Sequence, residues 1–334
     1  MFPLIKDLYR HPKVYQPEEL IGIEIEMEGQ NLNFPNNPGW FMKGDGSLRG
    51  DSMEYIIRGA KKPEDVPKYL DKLIRALMIN NLERGVAPAV LTPSDRCGVH
   101  IHVNVQYNTF FEVFNFIFLY LMLEKVLVEY CGESRTGNLF CLRSSDAEYF
   151  IDKMIMCRKN SDFEHLFPGR DTLRYASVNP GAIYKFGSVE FRALRTPKDL
   201  TTIYEWVKIL LRVKDASIQM LDDPADAIEG YSKYGEDRYF DLIMGDMAPV
   251  LRKRVKDIDQ KMLDGMRLTQ DIAYTDIETV PLTTADIGMK PPPGMRVRHR
   301  HHEAPRIREL EEQFEMERED QLLNEPDEDF DDEE

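Results

Sequence analysis

Three short segments alternate apolar with polar or ionisable residues at a period of two, and this pattern constrains the fold of the 334-residue chain more than any other feature. From Leu20 to Met27 the run LIGIEIEM alternates aliphatic residues with Gly22, Glu24 and Glu26. In CGVHIHVNV, Cys97 to Val105, Val99, Ile101, Val103 and Val105 point one way and His100, His102 and Asn104 the other. In YKFGSVEFRAL, Tyr184 to Leu194, Val189, Phe191 and Ala193 oppose Glu190, Arg192 and Leu194. Side chains of a strand alternate between faces, and residues two apart lie ~6.6–6.8 Å from one another on the same face. Each segment therefore reads as a strand with one face for the core and one face carrying two functional groups.

The remaining patterns supply cover for such a sheet. WFMKGDGSLRGDSMEYIIR, Trp40 to Arg58, places a glycine-punctuated turn before a short strand around Met53 to Ile57. Leu70, Leu73, Ile74, Leu77 and Met78 recur at helical spacing between Pro67 and Gly85, as an amphipathic helix covering a sheet would. Phe110 to Val128 is the most apolar stretch, but Glu112, Asn115, Glu124 and Lys125 interrupt it; it reads as a buried helix, not a bilayer span. Between it and Tyr184 the pattern is less regular. A helix from about Thr202 to Leu221 and weaker helical patterns to about Ile272 follow, with no internal repeat.

Charge divides the chain. The formal net charge is −16, yet from Glu303 onward there are 16 acids against 3 arginines, leaving 43 acids and 40 bases before it. A near-neutral body argues against a surface for coating nucleic acid, where basic residues cluster to neutralise phosphates. Past about Val280 come KPPPG, MRVRHRHH and an acidic end, compositions that bury too little apolar surface to offset chain entropy. The expected organisation is a catalytic domain over 1–280, a Pro-rich and basic linker over 281–305, and an acidic, largely disordered tail over 306–334 suited to a basic partner. Cys97, Cys131, Cys141 and Cys157 fall at irregular spacings with no secretory leader pattern ahead of them, so reduced thiols in a cytoplasm are the expectation.

The polar strand faces carry the chemistry. Glu24 and Glu26 project together at a separation suited to neighbouring divalent ions, and hard carboxylate oxygens favour magnesium or manganese. His100 with His102, and Glu190 with Arg192, repeat the geometry. Cations to neutralise phosphates and an arginine to hold developing charge are what phosphoryl transfer needs. A polar strand face is, however, ordinarily solvated surface, and a two-metal carboxylate site also serves phosphohydrolases. GDGSLRG lacks the GxxxxGK[ST] ending of a P-loop, so any ATP site is built otherwise.

The series GIEIE, DGSL followed by Glu54, CGVHIHV, RYASVN and SVEFR, spanning Leu20 to Pro197, resembles the amidoligase family, notably its phage-type carboxylate-amine ligases, within the glutamine synthetase and glutamate-cysteine ligase superfamily. The resemblance implies an α+β, glutamine-synthetase-like fold: a mainly antiparallel sheet with a polar active-site face and helices packed on the other. It implies an ATP- and Mg2+-dependent (or Mn2+-dependent) ligase forming an amide through an acyl phosphate, from a carboxylate and an amine belonging to an amino acid, peptide or protein terminus. By resemblance Glu24, Glu26, Glu54, His100 and Glu190 are metal ligands; Glu54, His102 and Arg192 are catalytic, with His102 and Arg192 near the nucleotide phosphates; Asp45 and Ser47 line the nucleotide pocket; Arg174 and Asn179 face the substrate. It further implies a protein of the cytoplasm, that of a host cell if phage-encoded. Against this reading stand a metal-dependent phosphohydrolase and a non-catalytic ligase-fold scaffold of a phage.

Overall fold

The alternating segments become the middle of an antiparallel sheet because each has one continuous aliphatic face to bury. In the computed structural model, which describes residues 2–33, 39–44, 46–83, 85–92, 94–132, 141–144, 149–166 and 175–275, seven strands form one open sheet. They are β1 (Ile21–Gln30), β2 (Trp40–Lys43), β3 (Ser52–Ile57), β4 (Val90–Thr92), β5 (Gly98–Asn104), β6 (Val178–Asn179) and β7 (Ser188–Arg195). The order is β2-β3-β1-β5-β7-β6, with β4 pairing the far end of β1, and every one of these pairings is antiparallel. The three alternating segments are thus the adjacent central strands β1, β5 and β7. The described residues belong to one unit bounded by Met1–Ile287; the linker and tail expected beyond 280 lie outside them.

Ile23, Ile25, Met27, Val99, Ile101, Val103, Val189 and Phe191 make the apolar face, each at most 1% exposed. Removing such side chains from water contributes roughly 1.5–3 kcal/mol each, which makes this face the main driving force for ordering the sheet. The helix Phe110–Tyr130 packs against it, with the rings of Phe116 and Tyr120 tilted against Phe191 at centroid separations of 5.3 and 4.8 Å. Thr109 and Glu112 start this helix as a reciprocal capping box. The polar interruptions read in the sequence each find a partner: Asn115 donates to the Leu221 carbonyl at 3.0 Å, Lys125 pairs with Asp264 at 2.6 Å, and Glu124 accepts from Ser144. The helices Thr201–Met220 and Ile258–Ala273 complete the cover. The second crosses so closely that a Cβ at Gly265 would stand 1.8 Å from the Met122 carbonyl oxygen, so only glycine fits there. No helix of the described residues is long and apolar enough to cross a membrane. All four cysteines are buried thiols.

Several expectations change. β1 runs three residues beyond Met27 and brings a third carboxylate, Glu28, onto the polar side. β2, β4, β6 and the helix Phe150–Asn160 were not anticipated, since short strands and a helix of weak amphipathicity leave little periodic signal. The helix Val66–Arg75 buries Leu70 and Leu73 as expected, but a π-helical turn over Ala76–Asn80 shifts the register and leaves Met78 42% exposed. Leu194 does not share the face of Glu190. Between the pairs Val99↔Leu194 and Ile101↔Phe191 lie one residue of β5 and two of β7, a bulge that turns Leu194 onto the apolar side.

Candidate metal centre

Strand register brings the separate polar pairs into one cluster. Across β1 and β5, Glu24 stands opposite His100 and Gly22 opposite His102; across β5 and β7, His102 stands opposite Glu190; β6 then sets Asn179 opposite Glu190. On the other side Glu26 faces Glu54 of β3, which faces Lys43 of β2. The strands pack tightly here: a Cβ at Gly22 would come within 3.1 Å of the His102 Cβ, so His102 would have to shift by a few tenths of an ångström to admit one.

The groups are buried and interlocked. Glu26, Glu54, His100 and Glu190 are each at most 6% exposed. Nδ1 of His100 lies 3.2 Å from Glu24 and 3.5 Å from Glu190, and its Nε2 lies 3.6 Å from Glu26. Nε2 of His102 lies 3.7 Å from Glu24, while its Nδ1 meets the Ser188 hydroxyl at 3.0 Å, an outer partner that fixes the ring. Arg192 donates to Glu190 at 2.7 Å, and Asn179 donates to the other oxygen of the same carboxylate at 2.7 Å. The Gly98 backbone N–H donates to Glu26 at 2.8 Å, and Lys43 pairs with Glu54 at 2.8 Å. One polar atom is left over: Nε of Arg192 is buried without a hydrogen-bond partner.

Four carboxylates, two histidines and two fixed cations leave the cluster short of positive charge, and the titration of its members reflects this. Burial opposes ionisation of Glu24, but hydrogen bonds from His100 and His102 overcome it and hold the carboxyl well below its usual range. Burial likewise opposes ionisation of Glu190, and the charges of His102, Arg192 and His100 outweigh it to give a net lowering. For His102, burial disfavours the imidazolium, yet the hydrogen bond to Glu24 and the charge of Glu190 raise its affinity for a proton. Glu54 is pushed up to about 7, by burial first and by the charge of Glu24 next, against the pull of Lys43.

A divalent cation is the natural complement. Ligand atoms of Glu24, His102 and Glu190 lie within 4.8 Å of one another. Two carboxylate oxygens and one imidazole nitrogen form a donor set for a hard or borderline ion that retains waters for other ligands. From the sequence, His100 was the expected ligand and His102 the expected neighbour of phosphates. In the structure His102 joins the mutual triad, and His100 bridges Glu24, Glu26 and Glu190. Glu26, Glu54, Arg192 and Asn179 are also brought to the cluster. Ser47 lies exposed on the loop between β2 and β3, its carbonyl accepting from Arg96 at 2.9 Å. Asp45 and Arg174 fall outside the described residues.

Sequence reasoning missed three participants. Ser188 was legible as a hydroxyl two residues before Glu190 on the same face. Lys43 required knowledge that β2 exists. Glu28 required the true end of β1; its carboxylate accepts from the Arg49 backbone N–H at 2.9 Å and ties down the β2–β3 loop. Beneath the sheet, Glu124 accepts from the Ser144 N–H at 2.9 Å, from the Ser144 hydroxyl at 2.8 Å, and from the Ser177 hydroxyl. The Ser177 carbonyl in turn accepts from the Arg192 N–H at 2.8 Å, so this buried knot anchors the segment that delivers Asn179. No family model matches the chain, and no curated protein is significantly similar to it.

Proposed function

We propose that the chain is an ATP- and Mg2+-dependent carboxylate-amine ligase with its active site on the polar face of β1, β3, β5 and β7. The observation that carries this reading is the Glu24–His102–Glu190 triad with Arg192 beside it, on one face of an antiparallel sheet whose other face is covered by helices. The donor set fits Mg2+ or Mn2+, held by Glu24, His102 and Glu190 with Glu26 and Glu54 adjacent. When bound, the ion neutralises phosphate charge and polarises the phosphoryl group.

The protein's own groups have distinct roles in this reading. Arg192, with its Nε uncommitted, holds the oxygens of the transferring phosphoryl group through a planar fork. A substrate carboxylate oxygen attacks the γ-phosphorus of ATP, the bond to the β–γ bridging oxygen breaks, and ADP leaves. The amine nitrogen then attacks the acyl carbon and inorganic phosphate departs. Glu54, poised near neutrality at about 7, takes the proton that the amine must lose. Asn179 and Ser188 act through their partners, fixing Glu190 and His102.

Calorimetry and phosphate release test this together. A ligase binds ATP with Mg2+ and releases phosphate in proportion to amide only when both an acid and an amine are supplied. Rapid phosphate release with neither acceptor would make the protein a phosphohydrolase, and absence of metal-dependent nucleotide binding would leave a scaffold.

A further inference from the structure

The polar face of the sheet continues past the metal centre toward the β2 edge, and there its character changes. Ile56 stands opposite Glu24, and Phe41 stands opposite Ile56, so all three side chains leave the same face. Ile56 is half-buried, and Phe41 is 52% exposed. The guanidinium of Arg58 lies over the Phe41 ring at 3.6 Å from the centroid. That guanidinium pairs with no carboxylate among the described residues, and the bonds recorded for Arg58 are backbone ones, to Gly39 and from Lys61. An isolated exposed phenylalanine needs no explanation. Here an exposed arene–guanidinium pair is joined by an aliphatic residue to a carboxylate of the candidate metal triad.

We infer that the Arg58–Phe41 stack, with Ile56 as its floor, is the subsite for the planar base of a nucleotide whose phosphates lie on the metal centre. This rests on the nucleotide-dependent reading above and supplies the part of the ATP site that no sequence motif placed. Guanidinium and aromatic planes stack on a base through its π-face. Successive strands lie ~4.8 Å apart, so the stack sits ~9.5 Å across the sheet from Glu24, a span bridged by ribose and the α-phosphate of an extended nucleotide. Lys43, salt-bridged to Glu54, lies on the same edge strand.

The experiment compares ATP with inorganic tripolyphosphate, each titrated calorimetrically in Mn2+, on wild type and on R58A, F41A and R58K. Mn2+ alone is followed by electron paramagnetic resonance. The expected result is that wild type prefers ATP by roughly tenfold or more, the scale of one base–aromatic stack. R58A and F41A should bring that ratio near one while Mn2+ and tripolyphosphate bind as in wild type, and R58K, which keeps the charge and loses the plane, should behave as R58A. The inference is overturned if wild type binds the two ligands equally, if the variants keep the ratio, or if R58K restores it. Equal loss of both ligands in R58A would also overturn it, making Arg58 a phosphate contact. Both side chains are exposed, and thermal melts of the variants verify folding; F41L, which keeps the apolar surface without the ring, must also lose the preference. Tripolyphosphate binding without base preference would sink the subsite and leave the ligase reading standing, whereas failure of both ligands to bind would remove the two together.

Discussion

Among the described residues, carboxylates are buried beneath the sheet and on its polar face, and the two groups are treated differently. Beneath the sheet, Glu124 of the long helix is surrounded by neutral donors, the Ser144 N–H and the hydroxyls of Ser144 and Ser177. Burial raises its affinity for a proton, against those hydrogen bonds. On the polar face, Glu190 is buried and Glu24 keeps partial exposure; imidazoles hold Glu24 ionised, and imidazoles with the Arg192 guanidinium do the same for Glu190. A buried carboxylate whose partners are hydroxyls and amides does structural work, because its donors are satisfied whatever its charge. A set of ionised carboxylates with few fixed positive charges has the chemistry of a candidate cation site, and metal binding is what the proposed function asks of it.

The largest effect expected from this contrast is on metal binding. E24Q with E190Q removes both anionic ligands of the triad, and metal-dependent nucleotide binding should vanish while the fold persists. Wild-type affinity in the double variant, measured by calorimetry, would place the metal elsewhere. Next in size is R192K. The ammonium keeps the charge beside Glu190 but not the planar fork, so turnover should fall on the order of a hundredfold, the scale of losing one preorganised donor. A structural ion pair would tolerate lysine, and steady-state ADP release within a few-fold of wild type would show that it does.

The structural cluster should respond in stability instead. E124L leaves the Ser144 N–H and two hydroxyls buried without an acceptor, at about 1–3 kcal/mol for each group that cannot reorient. E124Q keeps the oxygen that takes three of these bonds and should cost little. Thermal melts of the two variants decide the matter: a leucine variant as stable as wild type would mean that the knot is not holding the Ser177 segment. Metal affinity, by contrast, should change only as far as Asn179 loses its place.

The difference between the clusters was only half visible in the amino-acid sequence. Glu24, Glu26, His100, His102, Glu190 and Arg192 are legible because each lies on a strand with clean alternation, and alternation states which residues share a face. What alternation does not state is register, and register decides that Glu24 meets His100, that His102 meets Glu190, and that Glu26 meets Glu54. Nor does it show the bulge that turns Leu194 inward. β2 and β6, of 4 and 2 residues, exist through pairing with their neighbours, so Lys43 came to light with the structure, and Asn179 was known through resemblance alone. Glu124 appeared in the sequence as an interruption of an apolar helix. Its donors come from segments 20 and 53 residues away, and no local pattern joins them.

The smallest expected effect distinguishes the clusters by pH. Glu54 has a folded-state pKa of about 7, above the ordinary carboxylate value of 4.5, so between those limits the folded protein holds a proton that the unfolded chain releases. Stability rises with pH only where the unfolded state binds more protons. Here the folded state binds more, so Glu54 makes the metal-free protein progressively less stable as pH climbs from about 5 to about 7. Divalent metal should oppose this, because a positive ion beside Glu24 and Glu26 favours the ionised form of Glu54 and releases its proton. Melting temperatures of the metal-free protein across this range, compared with those of E54Q, isolate the contribution: the variant should show a shallower decline, and adding Mn2+ to wild type should flatten it as well. Metal affinity itself should increase with pH through the same window, since both Glu54 and the proton-rich His102 must give up protons to the ion. Identical pH profiles for E54Q and wild type, with and without Mn2+, would show that Glu54 is paired to Lys43 alone and stands outside the metal centre.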